Sequence, residues 1–264
     1  MRLVKFLFEQ NPTFGVVVGE EVHPVSSPFP QDPNADLVAR PEPIDGAPTL
    51  RLEDLALLAP VRPSKIIGVG ANYRAHAAEM GREVREEPLL FLKAPTSILD
   101  PGAPIVRPRE SSRVDFEAEL AVVIGRKCRN VSEGEAMDVV FGYTALNDVT
   151  ARDLQKADVQ FTRGKGFDTF CPIGPAIRTE IDPSGLIVEG LINGEARQRG
   201  EVRDMVFAIP TLIARISRIM TLLPGDVIAT GTPEGVGPMV AGDTVTVRVD
   251  GVGELVNPVV DEMG

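Results

Sequence analysis

Three acids stand at alternate positions in Val114-Asp115-Phe116-Glu117-Ala118-Glu119-Leu120, and an unbroken apolar run from Leu120 to Ile124 follows. In an extended strand successive side chains face opposite ways, so Asp115, Glu117 and Glu119 point to one side. Carboxylates stacked beside a core repel one another unless a cation neutralises them. A further acid, Asp148 in Ala145-Leu146-Asn147-Asp148-Val149-Thr150, also follows an apolar run, at a strand-to-turn junction. All are hard oxygen donors, and no Cys or His cluster with zinc spacing lies near them, so Mg2+ (or Mn2+) suits them. The pattern alone leaves two readings open: a metal centre, or a surface strand whose acids are solvated.

The chain has two histidines, His23 and His76. His23 stands at a proline-flanked strand end, a structural or exposed position. If the segment around His76 is helical, His76 and Glu79 are three residues apart and touch. A carboxylate beside an imidazole orients the ring and favours its cation, which suits general base work; an ion pair on a helix surface is the competing reading. Lys165 lies between Gly164 and Gly166. Flanking glycines let a backbone pass close to a ligand, and a lysine there can bind a carboxylate or an enolate oxygen, or simply be a solvated loop lysine. The glycine-rich stretch Gly225–Gly237 lacks the lysine of a phosphate-binding loop, and no helical pattern follows it, which excludes nucleotide binding. Cys171 has no histidine near it in sequence and reads as a small buried hydrophobe, not a nucleophile.

The elements that must position these groups are short. Leu3–Phe8 and Phe14–Val18 read as two strands joined at Asn11-Pro12, followed by an irregular proline-rich arm from Pro24 to Pro48. Residues 1–60 are therefore expected to form a small N-terminal β appendage, and residues 61–264 the main domain. In the latter, Lys65–Val69, Leu89–Leu92, Phe116–Ile124 and Thr244–Val249 read as strands and Ala71–Met80 as a short helix. Ser132 and Glu135 make a capping box at the start of a helix over 132–140. The longest helical pattern is Arg203–Thr221. Gly81–Glu87 is too charged to pack and is expected to be mobile. The sum is a β-rich α+β fold with few long helices. With 27 basic against 38 acidic residues the net charge is −11, which disfavours nucleic acid. No window is apolar enough to span a membrane, no secretory signal is evident, and two cysteines make no disulfide framework, so a cytoplasmic protein is expected.

Taken together, the segments resemble the fumarylacetoacetate hydrolase family in its single-domain bacterial branch, from about Pro60 to the C-terminus. The resemblance is carried by Gly68–Met80 (GVGANYRAHAAEM), Asp115–Leu120 (DFEAEL), Asn147–Gln155 (NDVTARDLQ), Gly164–Cys171 (GKGFDTFC) and Leu223–Gly237 (LPGDVIATGTPEGVG). It implies a mixed β-sheet roll or barrel of that family's C-terminal type. It also implies that Glu117, Glu119 and Asp148 are the metal ligands, and not Asp115. By the same resemblance, Arg152, Gln155 and Thr232 bind substrate, Lys165 is the active-site lysine, and His76 with Glu79 is the catalytic pair on a lid. One departure matters: the founding hydrolase has another metal-site carboxylate seven residues before the histidine, where this chain has Val69. That points away from fumarylacetoacetate, toward the branch acting on smaller substrates. The implied activity is a Mg2+-dependent isomerase or decarboxylase of 2-hydroxyhepta-2,4-diene-1,7-dioate-type 2-oxo and 2-hydroxydienoic acids. Acylpyruvate C–C hydrolysis and oxaloacetate decarboxylation are the enzymatic alternatives, and a metal-containing small-molecule binding module the non-enzymatic one. A homodimer is also implied.

Overall fold

A computed structural model describes residues 1–30, 32, 35–79, 81 and 85–263. It is β-rich, with four α-helices among the described residues: α1 (Arg74–Glu79), α2 (Arg152–Ala157), α3 (Thr162–Lys165) and α4 (Ile209–Ile219). The largest sheet runs, in spatial order, through strands 50–51, 21–25, 11–18, 2–8, 171–178, 140–147, 118–124, 227–229, 66–70 and 89–93. It is mixed: Val227–Ala229 pairs parallel with Ile66–Gly70, whereas Ala118–Ile124 pairs antiparallel with both its neighbours. A five-stranded sheet (195–201, 187–192, 244–249, 253–261, 105–107) packs against it, and a three-stranded sheet (150–151, 114–116, 237–238) stands beside the acids. The mixed sheets stay open and do not close into a barrel, because 50–51 and 89–93 are the two ends of the large sheet's path.

Ala118–Ile124 is the hub. Leu120, Val122 and Ile124 face one core, shared with α4 and the five-stranded sheet. Ala121 and Val123 face a second core, with Ile66, Ile173 and Val227. Burial on both faces explains why the run has no polar alternation beyond Glu119. The N-terminal strand Arg2–Phe8 pairs with Cys171–Arg178, so the first strands extend the same sheet.

Several boundaries differ from the sequence expectation. The first hairpin turns at Glu9 and Gln10, both with positive φ, and Asn11 already belongs to the second strand. Two-residue hairpin turns need positive φ to match strand twist, and this one achieves it without glycine. The Ser132–Glu135 capping contacts form, with the Ser132 hydroxyl donating to Glu135 at 2.6 Å, but they lead into a 3-10 helix over Ala136–Val139. The pattern over 203–221 becomes α4 only from Ile209. Pro210 sits in the first turn, the one helical place where a missing N–H costs nothing. The expected mobile stretch at 81–87 includes residues 82–84, which lie outside the described residues.

Candidate active site

The three acids at alternate positions do not lie on one continuous strand. Val114–Phe116 and Ala118–Ile124 belong to different sheets, and Glu117 is the hinge between them. Neighbouring residues take over its backbone pairing. Asn147 Oδ1 accepts from Glu117 N at 3.0 Å, and Asp148 N donates to Glu117 O at 2.9 Å. Gln198 repeats the device one residue on, its Oε1 accepting from Ala118 N at 2.9 Å. The chain thus turns at Glu117 without an orphaned backbone group, and brings Glu117, Glu119 and Asp148 together.

One carboxylate oxygen from each of these three buried residues lies within 4.8 Å of the others. Burial pushes the Glu119 carboxyl well above the ordinary carboxylate range, and the charges of Asp148 and Glu117 push it further. Burial acts on Glu117 too, but the Lys165 ammonium and the Arg152 guanidinium outweigh it and hold that carboxyl well below the ordinary range. Lys165 Nζ donates to Glu117 Oε2 at 2.9 Å and to Asp148 Oδ2 at 2.5 Å. Its own pKa is raised: burial lowers it, and the facing Asp148 and Glu117 carboxylates more than offset that. Three buried hard donors whose mutual repulsion leaves one of them short of countercharge suit a divalent cation of the Mg2+ or Mn2+ kind.

Asp115 faces the other way in function. Fully buried, it accepts from Arg113 Nε at 2.8 Å and Nη2 at 3.1 Å, and from Arg152 Nε at 2.8 Å. Arg152 also donates through Nη1 to Gln155 Oε1 at 2.7 Å and through Nη2 to Glu117 Oε1 at 2.5 Å. A guanidinium has five N–H groups, so two remain beyond these three bonds. Arg152 and Gln155 are the buried residues of α2. Asp153, beside them, ties that helix to the preceding loop by accepting from Ser111 Oγ, Ser112 N and Ser112 Oγ at 2.6, 2.8 and 2.8 Å.

Lys165 ends α3 instead of lying in an open loop, and its flanking glycines serve packing between helices and within the turn. A Cβ on Gly164 would meet Gln155 Cβ at 2.9 Å, and one on Gly166 the Thr162 carbonyl at 2.6 Å. These glycines let α3 lie against α2, which sets Lys165 beside Arg152 and Gln155.

His76 and Glu79 pair across one turn of α1, with Nδ1 and Oε2 3.1 Å apart. The Glu79 carboxylate also accepts from Gly235 N at 3.1 and 3.3 Å, so α1 is docked on the loop that follows Thr232. Asn72 anchors the turn before α1: its amide donates to Thr230 O at 2.7 Å and Phe207 O at 3.1 Å, and its Oδ1 accepts from Phe207 N at 2.8 Å. Gly231 at φ +101° completes this junction. Its N–H donates to Glu119 Oε2 at 2.8 Å, and a Cβ there would strike Asn72 Cβ at 2.7 Å. Thr232 is buried, its hydroxyl donating to Ala118 O at 2.8 Å and accepting from Gln198 Nε2 at 2.7 Å.

A single cavity is lined by His76, Glu117, Glu119, Asp148, Arg152, Gln155, Lys165 and Thr232, with Val69, Gly70, Ala71, Phe91 and Phe161 completing the wall. Eight of the nine residues singled out from the sequence thus line one cavity, and the ninth, Glu79, reaches it through His76. Val69 lies on the wall, so the position of the founding hydrolase's extra carboxylate is apolar here. Sequence reasoning missed Asn72, Asn147 and Gln198, which hold the ligand-bearing backbone, and Lys93, a buried lysine behind Asp148. The available signal for Lys93 was a lone charge ending the apolar run Leu89–Leu92. His23 lies in the strand Glu21–Val25, and both cysteines are buried free thiols.

The family model for the fumarylacetoacetate (FAA) hydrolase C-terminal domain matches residues 65–260. Oxaloacetate tautomerase YisK of Bacillus subtilis (strain 168) is 46% identical over 224 residues, covering 79% of this chain and 74% of that protein. The crystal structure of 2-hydroxyhepta-2,4-diene-1,7-dioate isomerase from Mycobacterium marinum is 40% identical, with a TM-score of 0.87 and 100% of both chains covered. Maleylpyruvate hydrolase from Sphingobium sp. SYK-6, in complex with manganese(II) and pyruvate, is 35% identical, with a TM-score of 0.80 and 100% of both chains covered.

Proposed function

The chain belongs to the fumarylacetoacetate hydrolase family and is an enzyme of that kind, and we propose that it shifts a proton within short dicarboxylic 2-oxo or 2-hydroxydienoic acids, as an isomerase or tautomerase. The observation that carries this reading is that the His76–Glu79 pair opens onto the same cavity as the three carboxylates and the Arg152 guanidinium. Glu117, Glu119 and Asp148 would hold the divalent ion, Mg2+ or Mn2+, which when bound supplies Lewis-acid polarisation of a 2-oxo group.

The chain's own residues do the rest. With its Nδ1–H directed at the Glu79 carboxylate, His76 is left with Nε2 as its proton-accepting atom. Nε2 takes a proton from the carbon next to the keto group and returns it to the oxygen or to a further carbon, and Glu79 stabilises the imidazolium between the two transfers. Arg152 offers its two remaining N–H groups to a substrate carboxylate, with Gln155 fixing the plane of the guanidinium. Lys165 places an ammonium beside the oxygen on which charge develops. Phe91, Phe161 and Val69 keep that side of the cavity apolar.

The same reading takes residues 61–264 as the catalytic domain and 1–60 as its appendage, in a cytoplasmic homodimer. Acylpyruvate C–C hydrolysis is the second reading, favoured by the likeness to a maleylpyruvate hydrolase that binds Mn2+ and pyruvate. Purified protein with Mg2+ and a panel of enolisable dicarboxylic 2-oxo acids, followed by ultraviolet absorbance of the enol and by product analysis, tests the proposal. Accelerated interconversion with the carbon skeleton intact is expected. Cleaved products throughout the panel would favour hydrolysis, and no turnover at all would favour a binding module.

A further inference from the structure

Lys93 is 1% exposed and stands outside the cavity wall. A buried ammonium costs several kcal/mol unless it is paired, so its partners reveal what it is for. It ends the strand Leu89–Lys93, which is held against Ile66–Gly70 with Lys93 opposite Ile66. Its Nζ donates to Lys165 O at 2.7 Å and to Val149 O at 3.4 Å, and lies 2.7 Å from Asp148 Oδ1. The two carbonyls take its aligned hydrogens, and the contact with Oδ1 is a charge contact without a well-aligned hydrogen bond.

Two lysines therefore flank one aspartate, from different sides. Lys165 lines the cavity and spans Asp148 Oδ2 and Glu117 Oε2. Lys93 is absent from the cavity wall and sits against Oδ1. Oδ2 thus shares the Lys165 ammonium with Glu117 Oε2, and Oδ1 is covered by a fixed positive charge anchored to two backbone carbonyls.

We propose that Lys93 is a positioning residue that restricts Asp148 to a single metal-facing oxygen, and so selects a small octahedral cation over Ca2+. The proposal rests on the reading of Glu117, Glu119 and Asp148 as metal ligands. Ca2+ takes six to eight oxygens and readily accepts both oxygens of one carboxylate, whereas Mg2+ demands near-octahedral geometry and usually keeps several waters. A cation fixed on Oδ1 repels a metal from that oxygen and blocks the two-oxygen mode. By holding the Lys165 carbonyl as well, Lys93 keeps the second lysine in register with the same aspartate.

The test needs no substrate. Mg2+, Mn2+ and Ca2+ affinities are measured by isothermal titration calorimetry on the wild-type protein, Lys93→Met and Lys93→Gln, with thermal unfolding to identify folded variants. Wild type should bind Mg2+ at least as tightly as Ca2+. In a folded variant Ca2+ affinity should rise by more than that of Mg2+, because the second oxygen of Asp148 is freed, so the Mg2+/Ca2+ affinity ratio should fall about tenfold or more. A merely structural lysine would weaken both ions together. A ratio unchanged in a folded variant overturns the proposal while leaving the metal site standing. A wild-type preference for Ca2+ overturns it even if neither variant folds. Wild-type protein that binds no divalent ion overturns the metal reading, and this proposal with it.

Discussion

Nδ1 of His76 faces Oε2 of Glu79 at 3.1 Å across one turn of a six-residue helix, and the same carboxylate accepts the Gly235 N–H. One acid thus orients the imidazole and ties its helix to the loop beyond Thr232. His76→Ala is expected to lower kcat by about 10²–10⁴, the span of general acid–base catalysis, and to leave Mg2+ affinity nearly unchanged. Glu79→Gln should also be damaging, and the double variant little worse than the worse single one, because the pair acts as a unit. Additive losses in steady-state kinetics would contradict this. Full activity in His76→Ala would leave decarboxylation, which forms an enolate without removing a proton from carbon, as the surviving chemistry.

The Arg152 guanidinium serves Asp115, Glu117 and Gln155 at once, which a lysine cannot do. Arg152→Lys should raise KM for a diacid by about tenfold or more, with a smaller change in kcat, as expected when a charge-assisted bond worth about 1.5–3 kcal/mol is lost. An unchanged KM would remove Arg152 from substrate binding.

Asp153 receives hydrogen bonds from Ser111 and Ser112. Burial alone would raise its pKa, but these bonds prevail and hold it well below the ordinary carboxylate range. Its folded pKa therefore lies below its unfolded one, so the stability it adds is complete above about pH 4 and is lost as the pH falls through the depressed folded value. Asp153→Ala should destabilise by about 1–3 kcal/mol at pH 7, in urea titrations, with the gap to wild type narrowing in acid. A gap that widens below pH 4 would refute the assignment.

Much of the site was legible because it lies in contiguous segments whose residue types advertise their chemistry. Glu117 and Glu119 flank a single alanine, Arg152 and Gln155 share one face of a helix, and His76 and Glu79 stand one turn apart. What the sequence concealed depends on partners distant along the chain. The sheet change at Glu117 relies on Asn147 and Gln198, residues 30 and 81 positions on. Lys93 reads as a strand-end charge until Asp148 is folded against it. Gly164 and Gly166 look like a ligand-binding loop, although a Cβ on either would clash with Gln155 or with the Thr162 carbonyl. At the level of fold, the period-2 strands were readable from burial on alternating faces, whereas α4 was overextended because its apolar stripe continues upstream of Pro210.

Cys171 lies next to the site but is not built to react. Burial pushes its thiol up to about 12, and it is fully enclosed. Iodoacetamide at pH 8 should leave Cys171 unmodified in the native protein and alkylate it after denaturation, as read by peptide mass spectrometry. Rapid native alkylation would reopen a nucleophilic role.

The central claim is that His76 moves a proton on carbon in a substrate held beside Glu117, Glu119 and Asp148. It is tested most directly by proton NMR of solvent exchange, with oxaloacetate as the diacid, in D2O containing Mg2+ and either wild-type protein, His76→Ala or wild type with EDTA. Wild type is expected to accelerate loss of the signal from the protons next to the keto group, and both EDTA and His76→Ala to abolish most of that acceleration. Exchange at the uncatalysed rate with wild type, or acceleration that survives both EDTA and His76→Ala, would contradict it.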